Sequence, residues 1–225
     1  MNEEQTPYLK PFSKAWWGNF WYYYKWFIII GAVLLISLIM LLTECAHSTK
    51  TSDFTLTYIG NVFGMGQIQA FELEDRFASV TKDMNHDGTT DAKVNVVYID
   101  TGSQDQSVNY TMADVELTGG DAVVYLFTQE AMDRYARYGF LDLSQYVQEF
   151  GIKEELLKRY DDGSVYAIEM KENPIFSQLD SIETEGLYLL VRPPRDNEAS
   201  GRKKEYYDNG LEMARYIISG GANAY

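Results

Sequence analysis

The sequence predicts an N-terminal single transmembrane helix followed by one three-layer α/β domain with a mainly parallel sheet. Two observations carry this. Residues 26 to 43, WFIIIGAVLLISLIMLLT, hold no charge; as a helix they span roughly 27 Å, close to the hydrocarbon thickness of a bilayer. Beyond residue 50, stretches with the two-residue period of a strand alternate with stretches of helical spacing, the order expected of helices layered on a parallel sheet.

Lys25 is the last charge before the apolar run and Glu44 the first after it. A core helix of a soluble domain is normally shorter and carries a polar stripe. Lys10, Lys14 and Lys25 precede the run, and only Lys50 follows it closely. Positive residues stay in the cytoplasm. Residues 1–25 are therefore expected inside, 26–44 in the bilayer as a cell-membrane anchor, 45–52 outside as a polar stalk, and 53–225 outside as an extracytoplasmic domain. The segment SKAWWGNFWYYYKW, residues 13–26, crowds the inner boundary with indole and phenol rings, which favour the headgroup region. Cys45 follows Leu42-Thr43-Glu44, similar to a lipoprotein cleavage site. That site wants a small residue before the cysteine and Glu44 is not one, so an uncleaved signal anchor is the better reading.

Net charge is −14, and the first 26 residues hold three Lys and two Glu, so the outer part carries nearly all of the negative balance. Such a surface argues against nucleic acid and against adhesion to anionic lipid. It suits solubility or cation binding. Hydrophobic residues at 46% and aromatics at 15% suffice for a core. The single cysteine cannot form an internal disulfide, so stability must come from the core or from metal.

Phe54 to Ile59 reads as a strand rich in β-formers. Gly60, Gly64 and Gly66 mark the turn after it. From Gln67 to Lys82 the spacing is helical, with Ala70, Leu73, Phe77 and Val80 on one face. A polar loop over 83–91 leads to a strand at Val94–Ile99. Residues 101–118 read as a short helix or irregular loop. Ala122 to Phe127 is a continuous apolar run, as of a strand buried on both faces. Thr128 suits the N-cap of a helix reaching Tyr138, and Gly139 its stop. Ser144 to Tyr160 reads as helical, Val165–Ile168 and Leu187–Val191 as strands, the latter ended by Pro193-Pro194. Glu205 to Ser219 is amphipathic, with Tyr207, Leu211, Ala214 and Ile218 on one face.

The most specific motif is Asp83-Met84-Asn85-His86-Asp87-Gly88-Thr89-Thr90-Asp91. As a calcium loop it places Asp83, Asn85 and Asp87 at positions 1, 3 and 5 and Gly88 at the sharp turn. Thr89 offers a backbone carbonyl at position 7, and Asp91 stands at position 9. Hard oxygens at alternate positions converge because the loop curls around the ion. Position 12, normally a bidentate Glu, is Val94, so that ligand must come from elsewhere or from water. The same residues also suit a polar turn. Ca2+ is the one metal expected.

Gly64-Met65-Gly66 lies between a strand and a helix, as a phosphate-binding turn does, but Gln69 stands where the third glycine belongs. The histidines are His47 and His86, and no nucleophile elbow, HExxH or zinc cluster occurs. No catalytic residue is assigned, and binding is expected rather than catalysis.

Three segments resemble the first lobe of bacterial extracellular solute-binding proteins, of the type 2 periplasmic-binding-protein fold. DFTLTYIG resembles that family's first strand and ligand-proximal turn. GGDAVVYLFTQEAMDRYARYGFLDLSQYV resembles its buried strand, helix and exit, and GSVYAIEM its hinge strand. The resemblance spans about residues 53 to 192. The NFWYYYKW anchor and the D-x-N-x-D-G loop are similar to those of short membrane-anchored proteins of Firmicutes. A complete solute-binding protein has two lobes, whereas only Lys171 to Gly186 stands between the hinge-like strand and GLYLLVR. The resemblance implies one lobe, acting in binding or interaction. The partner would be a membrane transporter, another surface protein or a small solute. Candidate solute contacts are Asn61, Gly64, Met65 and Gly66, after the first strand, where parallel sheets present ligands. Two other readings compete: a structural surface protein whose only ligand is calcium, and a cell-wall hydrolase working through acidic residues.

Overall fold

The chain divides into two compact units, residues 1–50 and 51–225. The computed structural model describes residues 12–48, 51–99, 106–179 and 182–222, and between 42 and 48 the helix backbone alone. Residues 1–11 of the expected cytoplasmic segment and 49–50 of the expected stalk lie outside the described residues.

The first unit is one helix, α1 (Lys14–Ser48). From Lys14 to Leu41 it is long and apolar enough to cross a membrane, by length and composition; a membrane anchor and a signal sequence share that character. It starts well before the apolar run because nothing between Lys14 and Lys25 breaks a helix. Trp16, Phe20 and Tyr24, four residues apart, stack along one face with ring centroids 5.4 and 5.1 Å apart. The helix also takes in the first residues of the expected stalk, through Ser48.

The second unit is built on one sheet. Its strands are β1 (Phe54–Gly60), β2 (Ala92–Tyr98), β3 (Val124–Thr128), β4 (Leu157–Arg159), β5 (Val165–Glu169) and β6 (Leu187–Val191). They stand in the order β2-β1-β3-β6-β5-β4. β1 lies between β2 and β3 and runs parallel to both. Two helices make these crossovers, α2 (Gln67–Ala78) and α3 (Gln106–Gly119).

The expectation of a mainly parallel sheet is corrected here: β3–β6, β6–β5 and β5–β4 are antiparallel pairs, so the sheet is mixed. Parallel neighbours need a crossover of about a dozen residues or more, usually a helix. After β3 the helical connection over 129–156 carries the chain past the places of β6 and β5 to the far edge, and β6 and β4 then run against their neighbours. β4 and β5 are joined by a tight turn in which the Tyr160 amide donates to the Ser164 carbonyl over 2.9 Å and Gly163 takes φ +88°.

Other boundaries also move. Ser144–Tyr160 is not one helix but α5 (Ser144–Phe150), a 3₁₀ turn at Glu154–Leu156, and β4. Gly151, left-handed at φ +62°, ends α5. Within the stretch 101–118, expected as a short helix or irregular loop, the described residues from Gln106 form α3, which runs to Gly119. α4 (Gln129–Tyr135) continues as a 3₁₀ turn to Tyr138 and stops at Gly139, as expected. α6 (Pro174–Ser177) was not foreseen, and α7 (Gly201–Ile218) begins before Glu205.

The strands alternate in facing. Phe54, Leu56, Tyr58, Val124 and Leu126 point into one apolar cluster, roofed by α2 through Leu73 and Phe77 and by α7 through Met213 and Ile217. Ile59, Tyr125 and Phe127 point into the other, roofed by Ala113 of α3 and by Ala131 and Tyr135 of α4. Three layers result, and every residue of β3 is buried.

Arg192, just past β6, ties the layers at one end. Its side chain is 8% exposed. Its guanidinium donates to the Ala122 carbonyl over 2.8 Å and to both carboxylate oxygens of Glu198 over 2.7 and 2.6 Å. Its own carbonyl accepts from the Tyr207 hydroxyl of α7 over 3.0 Å. Burial pushes the Glu198 carboxyl up, but the bonds from Arg192 and from the Arg195 amide, with the guanidinium charges, outweigh this and hold it below its ordinary range.

Removing one partner of a buried pair strands the other charge, so Glu198→Ala is expected to cost about 3 kcal/mol or more near neutral pH. A lowered carboxyl pKa lends stability that is present above its unfolded value, about 4.3, and lost as pH falls through the lower folded value. Urea melts of both proteins should therefore converge only on acidification. A difference that does not depend on pH would contradict the pairing.

Candidate functional site

The carboxyl ends of β1 and β3 are where a sheet of this topology presents ligands, because α2 leaves β1 and α4 leaves β3 to opposite faces there. All the sequence-predicted solute contacts lie at this edge, in one turn. The Asn61 side-chain carbonyl accepts from the Gly64 amide over 2.8 Å, and the Gly66 amide donates to Gln69 Oε1 over 3.2 Å. Met65 is fully buried, its carbonyl accepting from the Tyr98 hydroxyl over 3.2 Å. The Tyr58 hydroxyl donates to the Asn61 carbonyl over 2.7 Å. A Cβ at Gly60 or Gly64 would collide with that hydroxyl, which is why glycine occupies both places. The turn therefore spends its glycine N–H groups internally. Burial, and then Tyr98 and Glu183, raise the Tyr58 pKa, so its hydroxyl stays a donor.

What this edge does present is apolar. Val62, Phe63, Ile68 and Phe71 are 53, 77, 70 and 62% exposed. Ile68 and Phe71, three apart on α2, share one face. Sequence reasoning passed over them because they fall off the core stripe of Ala70, Leu73 and Phe77. Beside them the Thr128 hydroxyl is buried with no hydrogen-bond partner among the described residues.

The polar loop lies at the opposite, amino edge, ahead of β2. The Asp83 carboxylate accepts the Asp87 amide over 3.2 Å and the Gly88 amide over 2.9 Å. Asn85 Oδ1 accepts that same Asp87 amide over 2.9 Å. Two side-chain oxygens sharing one N–H must be neighbours, and each keeps a further lone pair. Gly88 takes φ +84°, the sharp turn that the loop needs. Asp87 Oδ1 accepts from the Thr89 amide over 2.9 Å and from its hydroxyl over 2.6 Å. Asp91 is engaged elsewhere, accepting the Asp53 amide over 2.9 Å. The structure thus brings Asp83 and Asn85 together and ties Asp87 and Thr89 to each other, while Asp91 turns away. Among the described residues no three Asp, Glu, His or Cys side chains converge as a ligand set. These are hard oxygen donors suited to Ca2+; an ion here would complete its shell with backbone carbonyls and water.

Asp53 is the residue that sequence reasoning missed. It is 1% exposed, and its carboxylate accepts amides from Met84 over 2.7 Å, Asn85 over 2.9 Å and Asp91 over 2.9 Å. Arg202 adds a bond from its guanidinium to the Asn85 carbonyl over 3.1 Å. No sequence signal marks either residue, since the bonds link segments far apart in the chain.

Asp53→Asn would face three amide donors with one acceptor oxygen. We expect it to cost about 1–3 kcal/mol and to speed amide exchange at Met84, Asn85 and Asp91 while β3 stays protected. Unchanged exchange in the loop would show that another group holds it.

Comparison of the chain with protein-family models and with curated proteins finds no match.

Proposed function

We propose that this chain is a single-pass membrane protein whose extracytoplasmic α/β domain is a docking module resembling one lobe of a solute-binding protein. It works by binding and not by catalysis. One observation carries the reading: the exposed apolar face of Val62, Phe63, Ile68 and Phe71 at the ligand-presenting edge of the sheet. Large exposed apolar groups in a cluster mark interaction sites. In a two-lobed binding protein that edge faces solute and second lobe. Here a partner with an apolar contact surface takes that place, a transporter subunit or another surface protein. The lysine distribution around α1 supports an inside N-terminus and an outside domain.

The expected result with the detergent-solubilised full chain is a stoichiometric membrane partner that is lost on Phe63→Ser with Phe71→Ser. Both side chains are exposed, so the melting temperature should stay within a degree or two, the size of an ordinary surface substitution. Retention of the partner by the double variant would refute this face as the docking surface.

The loop at the amino edge is assigned a supporting role as a calcium site, formed by Asp83, Asn85 and Asp87, with Thr89 and Asp91 completing it if Asp91 turns inward. The shared amide between Asp83 and Asn85 supports this. An ion that binds the folded state alone stabilises it by about 1.4 kcal/mol at tenfold excess over Kd. Melting of the full chain in millimolar calcium and in chelator should differ accordingly, and Asp87→Ala should abolish the difference. Identical curves in calcium and chelator would reduce the loop to a turn.

A further inference from the structure

At the amino edge of the sheet, beside the Asp53 clamp, lies a cavity of about 410 Å³, within the size range of small-molecule sites. We propose that it binds a phosphate ester that carries an apolar body. It lies at the opposite edge of the sheet from the apolar docking face, and its wall shares Asp53 and Arg202 with the support of the polar loop.

Charge is the first argument. The chain has 33 acidic and 19 basic residues, yet the cavity wall gathers Arg192, Arg195, Arg202 and Lys203. Of the carboxylates on the same wall, Glu198 is spent on Arg192 and Asp53 on three backbone amides. Asp121 is exposed at the surface, as are Arg202 and Lys203, which leaves the wall with four cations and three carboxylates. Arg195, Arg202 and Lys203 have no carboxylate partner among the described residues. Unmatched cations converging on a concavity in an acidic protein favour an anion.

The second argument is hydrogen bonding. Arg195 Nη2 and the Tyr206 hydroxyl are both buried atoms without a partner, and both residues line the cavity. Buried donors left unpaired are costly; both atoms are covered here, and a small side-chain rotation toward the cavity would let a ligand rich in acceptor oxygens satisfy them.

The third is the start of α7. Its first turn runs Gly201-Arg202-Lys203-Lys204 with no acidic residue, and Ser200 makes no side-chain cap bond. Free amides and the positive end of the helix dipole already favour an anion there. Cations placed beside them repel that dipole until an anion joins. A guanidinium fork meets a phosphate with two parallel bonds, better than a lysine alone. Phe54, Val123 and Tyr207 supply an apolar wall for the rest of the ligand.

Phosphate esters of this kind come from two sources, soluble monoesters and anionic phospholipid headgroups. The test is calorimetric titration and thermal melting of the full chain in a neutral detergent. Phenyl phosphate is added in one arm and phosphatidic acid, in mixed micelles, in the other. Either probe should raise the melting temperature. Arg195→Gln, and separately Arg202→Gln with Lys203→Gln, should each weaken binding about tenfold or more, the usual effect of losing a charge-assisted hydrogen bond. The ligand-free double variant should melt no lower than the parent, because relieved repulsion at the α7 start offsets the lost Asn85 contact. Response to phenyl phosphate assigns the soluble source, and response to phosphatidic acid alone assigns the headgroup. No response to either probe, or a response that both variants leave intact, would overturn the site.

Discussion

A guanidinium in a protein interior has to be neutralised and fully hydrogen-bonded, or its desolvation is not recovered. Arg192 meets that demand with partners drawn from three elements: the Ala122 carbonyl leading into β3, the Glu198 carboxylate on the turn after β6, and the Tyr207 ring of α7, whose face lies 5.4 Å from the guanidinium. Because the charge cannot be left alone, these segments cannot move apart independently. The whole amino edge inherits its geometry from this requirement. The turn at Asp196–Glu198 brings Glu198 to Arg192, and the chain that leaves it enters α7. α7 then places Asn209, whose amide donates to the Asp53 carbonyl over 2.9 Å and to the Thr81 hydroxyl over 3.0 Å. Through that bond the C-terminal helix reaches the first strand and the end of α2.

The two edges of the sheet have opposite characters. At the carboxyl edge the backbone polar groups of the glycine turn are consumed by Tyr58, Asn61, Gln69 and Tyr98, so what faces solvent is apolar. At the amino edge the apolar groups are inside, and what faces solvent is a mixture of carboxylates and guanidinium groups. Parallel α/β sheets usually keep recognition at the carboxyl edge. On the proposed reading the chemistry of recognition is divided here: shape and apolar area at one end, charge at the other.

The parallel half of the fold was legible because its signals are local. β1, α2, β2 and β3 each announce themselves by period or by a bounded apolar run, and βαβ connectivity then fixes their neighbours. In the antiparallel half β5 and β6 were legible as strands, but their directions, β4, and the crossover helix α3 of the other half were not. β4 is only three residues long, too short for any periodic pattern, and it hides inside a stretch that otherwise reads as helical. α3 exposes Val108, Met112 and Val115 and buries only Ala113 among its fully covered residues, so its stripe does not point to the core. The glycine turn was located correctly, but only the structure shows that its glycines make room for Tyr58. Asp53 could not be read at all: its partners lie some thirty residues on, and an aspartate ahead of a strand is unremarkable on its own.

The ends of the strand order, β2 and β4, leave the sheet with unequal rims. β4 offers three residues, Lys158 and Arg159 among them, too short and too charged to template another strand. β2 offers seven, with no strand paired to its outer side among the described residues. Exposed rows of backbone donors and acceptors invite strand addition, and natural sheets discourage it with inward or outward charge, lysine above all. On β2 that task falls to Lys93, the one exposed residue of the strand, and to Glu74 of α2, whose carboxylate accepts the Val94 amide over 2.9 Å. Resistance of this domain to edge-to-edge aggregation, when many copies crowd together, therefore rests on one ammonium group and one carboxylate.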